Sequence, residues 1–394
     1  MRTSPGPADR ARSPRRRLRL QPWPVGFSLV AIGVFVFYQY VVPQLSSDAR
    51  AGVRHWLPLI SVNEALVWAI CALGLNIVVG YAGLLDLGFV AFWAIGGYTA
   101  GWLMSGFFHT QRFHLLSSVA PDRNGIHVSF WLVLIAGAAL CALLGIIIGA
   151  PTLRLRSDYL ALVTLGFGEI IPQVFLRGEN VFGLNISNGS RGISPVDPIN
   201  SLRFTPTGVG YDSLGPFDLT SKYVIFVLLT AITIFGSLRL RDGRLGRAWL
   251  AIREDELAAG AMGIPPMRTK LAAYAVGAVA GGVGGVAFAT HVNGAFPDRF
   301  NFSISITLLA MVVLGGMGNV WGVLLGALML AWVNSTGLAQ AGSAVNDALG
   351  TDINFSSYNF LMFGLVLVLM MLFRRNGLLP ERRAGDVSRE RSVR

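Results

Sequence analysis

The stretch GRLGRAWLAIREDELAAGAMGIPPMRTK, from Gly243 to Lys270, is a charged island between two long apolar runs. Its centre has the pattern of a short capped helix. Asp255 suits the N-cap, Glu256 suits the positive first turn, and Gly263 suits the left-handed residue that follows the last turn. Two prolines then end the helix. A short helix of small residues between two apolar runs is best explained by a partner that binds it outside the bilayer.

The two sides of this short helix differ in bulk. One side carries Leu257, Ala258, Ala261 and Met262, and the other carries Ala259 and Gly260. Such a helix can lie close against a partner. We therefore expect Ala258, Ala259 and Gly263 to tolerate little added volume.

The composition places the chain in a membrane. Its 394 residues are 53% hydrophobic and 13% charged, with a mean hydropathy of +0.57, which is too apolar for a soluble protein. The formal net charge of +11 comes largely from arginines in the tails and in loops beside apolar runs. Positive-inside topology explains this placement better than nucleic-acid binding does.

The apolar runs predict an all-α, polytopic transmembrane helix bundle of about ten spans. The runs lie at 25–42 and near 60–80, 84–106, 129–150, 158–176, 222–238, 270–291, 303–318, 320–336 and 356–373. Glycines interrupt the runs at 303–318 and 320–336, so we expect broken or half helices there and leave open whether 303–318 crosses the membrane.

The arginine clusters set the predicted orientation. Basic tails at 1–24 and 374–394 flank a transmembrane domain at 25–373. Counting from a cytoplasmic N-terminus places both tails and the loop 243–269 inside, as the charge rule requires, and places the segment 177–221 outside. We therefore expect a multi-pass protein of the plasma membrane with both termini in the cytoplasm.

Polar residues and glycine breaks inside the apolar runs predict a pathway, because a charge or amide in hydrocarbon is costly and tends to face a wet cavity or the bundle interior. The candidates are Asn76, Tyr81, Asp86, Glu169, Gly315 and Gly316. Asp86 and Glu169 lie in glycine-rich stretches, where a broken helix can expose backbone groups. An interhelical hydrogen bond is an equally good interpretation of each polar residue.

Sequence signatures of catalysis are missing from the chain. It has no Gly-x-x-x-x-Gly-Lys-Ser/Thr phosphate loop, no Gly-x-Ser-x-Gly elbow and no His-Glu-x-x-His helix. Cys71 and Cys141 lie in apolar segments far from any metal-binding spacing and are predicted to be packing residues. We expect a transport subunit without a cofactor, a metal or an ATPase site of its own.

Five stretches, in this order, resemble the branched-chain amino acid permeases of ABC importers, the LivM type. They are Gly74–Ala100, Arg156–Ile170, Asn185–Ile193, Ala248–Ala278 and Leu309–Ala327. The resemblance covers roughly 62–380 and implies a cytoplasmic coupling helix that contacts an ATPase. The residues it assigns to coupling are Arg253, Glu254, Asp255, Glu256, Leu257, Ala258, Ala259 and Gly263. One departure is that Leu257 occupies the acidic place of the importer pattern, with Glu256 displaced by one.

The same resemblance implies a function and a set of partners. The chain would form the translocation pathway for branched-chain amino acids delivered by an extracytoplasmic binding protein. Its partners would be that binding protein, a second related permease, two ATP-binding subunits and the lipid membrane, with no nucleic acid. A permease for urea or short amides and an ion-coupled secondary transporter remain alternatives. A secondary carrier has no need of the capped helix.

Overall fold

Helices make up most of the computed structural model, which describes residues 22–117, 119–155, 157–181, 183–205, 208–213, 218–350, 355–374 and 377–379. The helices are α1 (Pro22–Val36), α2 (Ser47–Trp56), α3 (Leu59–Asn76), α4 (Val90–Leu103), α5 (Phe130–Thr152), α6 (Ser157–Leu176), α7 (Leu219–Asp242), α8 (Arg244–Glu254), α9 (Glu256–Ala261), α10 (Pro266–Val292), α11 (Phe302–Gly315), α12 (Val320–Trp332), α13 (Leu338–Leu349) and α14 (Asn359–Phe373). The strands are β1 (Met104–Ser105), β2 (Arg112–Leu115), β3 (Gly125–Val128), β4 (Asn200–Thr205) and β5 (Gly208–Ser213).

The prediction of a polytopic helix bundle is confirmed. Eight helical stretches among the described residues are long and apolar enough to cross a membrane: Gly26–Gln44, Ser47–Tyr81, Phe130–Thr152, Tyr159–Leu176, Leu219–Asp242, Pro266–Val292, Pro297–Gly315 and Val320–Ser343. The predicted runs at 84–106 and 356–373 contain the shorter helices α4 and α14, of 14 and 15 residues. Most of the predicted basic tails, 1–24 and 374–394, lies outside the described residues.

Backbone contacts sort the connections between helices into two ends. At one end, which we call the strand end, the backbone N–H of Asp197 donates to the carbonyl of Met104 at 2.6 Å, and Ile193 pairs with Ala295. At the other, the α8–α9 end, Arg253 on α8 donates to the carbonyl of Gly80 after α3, and the backbone N–H of Gly318 after α11 donates to Asn76. Helices α4 and α10 therefore end at the strand end, whereas α3 and α11 end at the α8–α9 end.

The strand end carries a small sheet that the sequence analysis did not predict. β3 pairs antiparallel with β1 and parallel with β2. His127 on β3 shares a hydrogen bond of 2.7 Å with the Asp197 carboxyl and stacks on His114, with ring centroids 4.9 Å apart. Burial raises the pKa of Asp197, and the hydrogen bond with His127 opposes that rise. The two connections at this end are thus joined through buried polar side chains.

Helix α10 lies at the centre of the bundle and packs against α3, α4 and α5. Its sequence AVGAVAGGVGGVAFA is almost free of bulk, so neighbouring backbones come close. A methyl group added at Gly282 would lie 2.8 Å from the Sγ atom of Cys141, and one added at Gly145 would lie 2.8 Å from the Cβ atom of Ala278. Both cysteines are buried and free, as packing residues should be.

The predicted glycine break lies between α11 and α12, at residues 316–319. Gly316 and Gly318 have φ angles of +113° and +87°, which few residues other than glycine adopt. The turn is fastened to α3 because the Asn76 side-chain oxygen accepts a hydrogen bond of 2.8 Å from the backbone N–H of Gly318. Gly80 lies directly beside this bond, so the end of α3 and the break form one packed unit.

We expect Gly80→Ala to loosen this unit. An added methyl group would lie 2.6 Å from the backbone nitrogen of Gly318, and overpacking of this kind costs about 1–3 kcal/mol. Thermal unfolding of the purified protein in detergent, followed by tryptophan fluorescence, should show a lower midpoint.

The matched control for this change is Gly236→Ala on α7. An added methyl group at Gly236 would meet no atom within 4 Å in the part of the chain that the structure describes. This variant should unfold at the wild-type temperature or slightly above it, because alanine favours helix more than glycine does. Equal midpoints for the two variants would contradict the packing described here.

Candidate functional site

The segment between α7 and α10 folds as two short helices that are anchored to the bundle. Trp249 on α8 is fully buried, and its Nε1–H donates to the carbonyl of Thr269 on α10 at 2.8 Å. Arg253, near the end of α8, donates from Nη1 to the carbonyl of Gly80 at the end of α3. Helix α8 is therefore fixed to two membrane helices at once, and it holds α9 in a defined place.

Helix α9 has the caps that the sequence predicts. The Asp255 carboxylate accepts hydrogen bonds from the backbone N–H groups of Leu257 and Ala258 at 2.9 and 3.0 Å. Gly263 has a φ of +86°, the left-handed conformation expected after the last turn. Both predictions about the ends of this helix are confirmed.

The two sides of α9 do not face as expected. Leu257 and Met262 are 86% and 84% exposed, whereas Ala259 is only 5% exposed. The chain folds back after the helix, and the backbone N–H of Ile264 donates to the carbonyl of Ala259 at 3.1 Å. Ala259 is thus covered by the chain that follows, and its part in binding an ATPase stays a prediction.

The open side of α9 is an apolar patch that we call the α9 face, consisting of Leu257, Ala258, Ala261 and Met262. Large apolar side chains that remain this exposed on a short, fixed helix are unfavourable in water, so such a patch is typical of an interaction site. The acidic residues lie at its edge. Glu256 is paired with Lys270 on α10, with Nζ and Oε1 2.6 Å apart, a partner that the sequence analysis missed.

Most of the predicted pathway residues are packed inside the bundle. Asn76 and Tyr81 are 0% exposed and Asp86 is 1% exposed. Tyr81 shares a hydrogen bond of 3.2 Å with Ser237 on α7, and Asp86 accepts one of 2.9 Å from the backbone N–H of Gly88. Gly315 and Gly316 are also buried. In this conformation these five residues are buried and do not border an open path, so their role in a pathway stays a prediction.

Glu169 is the predicted pathway residue with open surface. It lies on α6 with Gln173 one turn further on, and Arg177 follows at the same spacing. These residues line a groove of about 710 Å³ that continues into a cavity of about 270 Å³ beside Asp298 and Asn301. We call this surface the α6 groove. Arg177 lies just after the end of α6, but Glu169 lies within the span, where a charge is costly in hydrocarbon and tends to face water or a partner chain.

The fold and these two surfaces define a class. The chain is a multi-pass helical membrane protein with an exposed apolar helix face at one end and, on one spanning helix, a groove that contains Glu169 and Gln173. Its residues 57–374 match the family described as "Branched-chain amino acid transport system / permease component". The chain belongs to this family of transport permeases.

Curated relatives agree with the family match. The chain is 37% identical over 328 residues to the high-affinity branched-chain amino acid transport system permease protein LivM of Escherichia coli K12, covering 80% of this chain and 68% of that protein. It is 26% identical over 344 residues to a probable LivM of Methanocaldococcus jannaschii, covering 82% and 94%. It is 23% identical over 323 residues to LivH of Salmonella typhimurium, covering 81% and 92%. No solved structure matches the chain.

Proposed function

We propose that the chain is the permease subunit of an ATP-driven importer and carries branched-chain amino acids into the cell. The printed names of its relatives support this substrate class. The α6 groove supports a charged substrate, because the carboxylate of Glu169 and the guanidinium of Arg177 are among its lining groups. The carboxylate can bind the ammonium of an amino acid, a group that urea and short amides lack.

The observation that carries the proposal is the α9 face. Leu257 and Met262 present more than four-fifths of their surface to solvent from a helix that is capped, paired and anchored. A protein partner that covers them gains the free energy of burying apolar surface without having to order the helix. We assign the α9 face to an ATP-binding subunit. This chain lacks the sequence motif of a phosphate-binding loop, so a separate ATPase must drive transport.

We also propose a second, related permease as a partner. LivM and LivH relatives carry the name of one transport system, and the chain is similar to both. The α6 groove supports this assembly, because a second permease facing it would shield Glu169 and Gln173 from lipid and leave a polar path between the chains. An extracytoplasmic binding protein would deliver substrate at the strand end.

The orientation follows from charge. Arginine clusters lie next to the α8–α9 end, at 239–247 and in the tail after 373, so we place that end and both termini in the cytoplasm of a plasma-membrane protein. The strand end, with the segment 177–221, then lies outside. This arrangement places α9 in the cytoplasm, where ATP is, and places the mouth of the α6 groove outside, where substrate arrives.

The function can be tested by reconstitution. Liposomes that hold the chain with its companion permease and ATPases, together with the binding protein, should accumulate labelled leucine when ATP is enclosed, and should accumulate urea poorly. Liposomes with the chain alone should accumulate neither substrate. Uptake by the chain alone under a proton or sodium gradient would favour a secondary transporter, and a preference for urea would overturn the substrate class.

Cysteine labelling should reveal both orientation and water access. In intact cells, an impermeant maleimide should label Gln173→Cys in the α6 groove but not Asp255→Cys, which should react only after the cells are opened. Phe235→Cys on α7 is the lipid-facing control: Phe235 is 70% exposed, yet its surroundings exclude water, so it should stay unlabelled. Labelling of Asp255→Cys from outside would contradict the orientation, and an unreactive Gln173→Cys would contradict a wet groove.

The role of the α9 face predicts the effect of a charge placed on it. Leu257→Glu puts a carboxylate where an ATPase surface should bury an apolar side chain, which should weaken association by about tenfold or more. Insertion and thermal stability should be unchanged, because the side chain is exposed. Co-purification of the ATPases and ATP-driven leucine uptake should fall together.

Leu245→Glu is the matched control for that experiment. Leu245 lies on α8, in the same loop, and is 44% exposed, but it is not part of the α9 face. The same chemical change there should leave ATPase binding close to wild type. If both variants transported at the wild-type rate, α9 would be an ordinary solvated connection.

A further inference from the structure

A cavity of about 370 Å³ opens at the α8–α9 end, beside α9 but distinct from its apolar face. Three connections and the first turn of α10 form its walls. The lining residues are Ala82, Gly83, Leu84, Leu153, Arg154, Leu155, Leu160, Ile252, Arg253, Glu256 and Lys270. We call it the basic pocket.

The floor and the rim of the basic pocket differ in chemistry. The floor is apolar and buried: Leu84, Leu153 and Leu160 are at most 5% exposed. The rim carries three cationic side chains, Arg154, Arg253 and Lys270, against one carboxylate, that of Glu256. The pocket therefore combines an excess of positive charge at its rim with an apolar floor.

The rim charges come from segments that are distant in the sequence. Arg154 lies in the short turn between α5 and α6, Arg253 lies near the end of α8, and Lys270 lies in the first turns of α10. The Lys270 side chain is 11% exposed and is held by Glu256, whose own side chain is 50% exposed. An incoming anion would meet the planar guanidinium of Arg154, which matches a phosphate well, beside that of Arg253, which already donates to the Gly80 carbonyl. It would also compete with Glu256 for Lys270.

The position of the basic pocket indicates where such an anion would come from. The pocket lies where α5 ends, α6 begins and α10 begins, so it is level with the ends of apolar helices that span the membrane. Basic pockets between membrane helices on the cytoplasmic side are suited to acidic lipid headgroups. The apolar floor fits the glycerol and first methylene groups of a lipid, whereas a free phosphate ion gains nothing from it.

We propose that the basic pocket binds the headgroup phosphate of an anionic phospholipid. The bound lipid ties the α5–α6 turn to α8 and α10 and weakens the hold of Glu256 on Lys270. Lipid composition then acts on the position of α9. This binding needs neither ATP nor substrate, so the test below is independent of the proposed transport function.

Lipid retention by the purified full-length chain tests the proposal. The protein is incorporated in nanodiscs of phosphatidylcholine with or without phosphatidylglycerol, and the lipids that remain after detergent washing are counted by native mass spectrometry. We expect selective retention of phosphatidylglycerol. Arg154→Gln should lower it about fivefold, the effect of one basic residue near an anionic surface.

Two further variants make the result specific. Arg268→Gln removes an exposed arginine on α10 that does not line the pocket, and it should retain phosphatidylglycerol like wild type. Glu256→Gln removes the competing carboxylate and should raise retention, a gain that misfolding cannot produce.

Four outcomes would overturn the proposal. The first is equal loss in Arg154→Gln and Arg268→Gln, and the second is no preference for phosphatidylglycerol over phosphatidylcholine. The third is displacement of the lipid by millimolar inorganic phosphate, which would make this a site for the free ion. The fourth is loss of the lipid when the ATPases bind, which would make the pocket part of that protein interface.

Discussion

The whole arrangement depends on how closely backbones approach along α10. Lipid provides no hydrophobic driving force between helices, so association must come from dispersion contacts and hydrogen bonds at short range. Glycines on α10 and its neighbours permit that range, and Cys141 and Ala278 fill the space that remains. A core of this kind is rigid, because close-packed groups leave little room for a neighbour to shift.

The core separates two ends of the molecule that are held together by different contacts. The strand end is joined by buried polar contacts, among them His127 with Asp197. The α8–α9 end is fastened at Trp249 and Arg253 and leaves α9 facing outward. The α6 groove lies on the outer surface of α6. The surfaces that we propose for partners therefore lie around a closely packed centre.

Much of this could be predicted from the chain alone, because the signals are local. Length and polarity reveal membrane helices, and Asp255 and Gly263 reveal a helix by the dihedral angles and hydrogen bonds that its ends require. The glycine break after α11 follows in the same way. Periodicity in α9 also grouped Leu257, Ala258, Ala261 and Met262, which are all exposed in the structure.

The failures concern contacts between residues that are far apart in the sequence. Asn76 is an amide within an apolar run, which is the pattern expected of a pathway residue. Its side-chain oxygen nevertheless accepts a hydrogen bond from the backbone N–H of Gly318, 242 positions away in the sequence. The side of α9 that carries Ala259 has little side-chain volume and was expected to lie close to a partner. Which side is covered, however, depends on the turn that follows the helix. The small sheet around β3 has strands of two to four residues, too short for an alternating pattern to be recognised.

The two hydrogen bonds that anchor α8 also determine how this helix can move. Trp249 bonds to α10, which the core holds still, while Arg253 grips the carbonyl of Gly80 further along the same short helix. A force applied at α9 would therefore turn α8 about its tryptophan and draw on the end of α3. Residues 82–89, which follow at once, are irregular but mostly buried, and the backbone N–H of Leu87 donates to Thr164 on α6. Pressure on α9 would thus act on α6 as well as on α3.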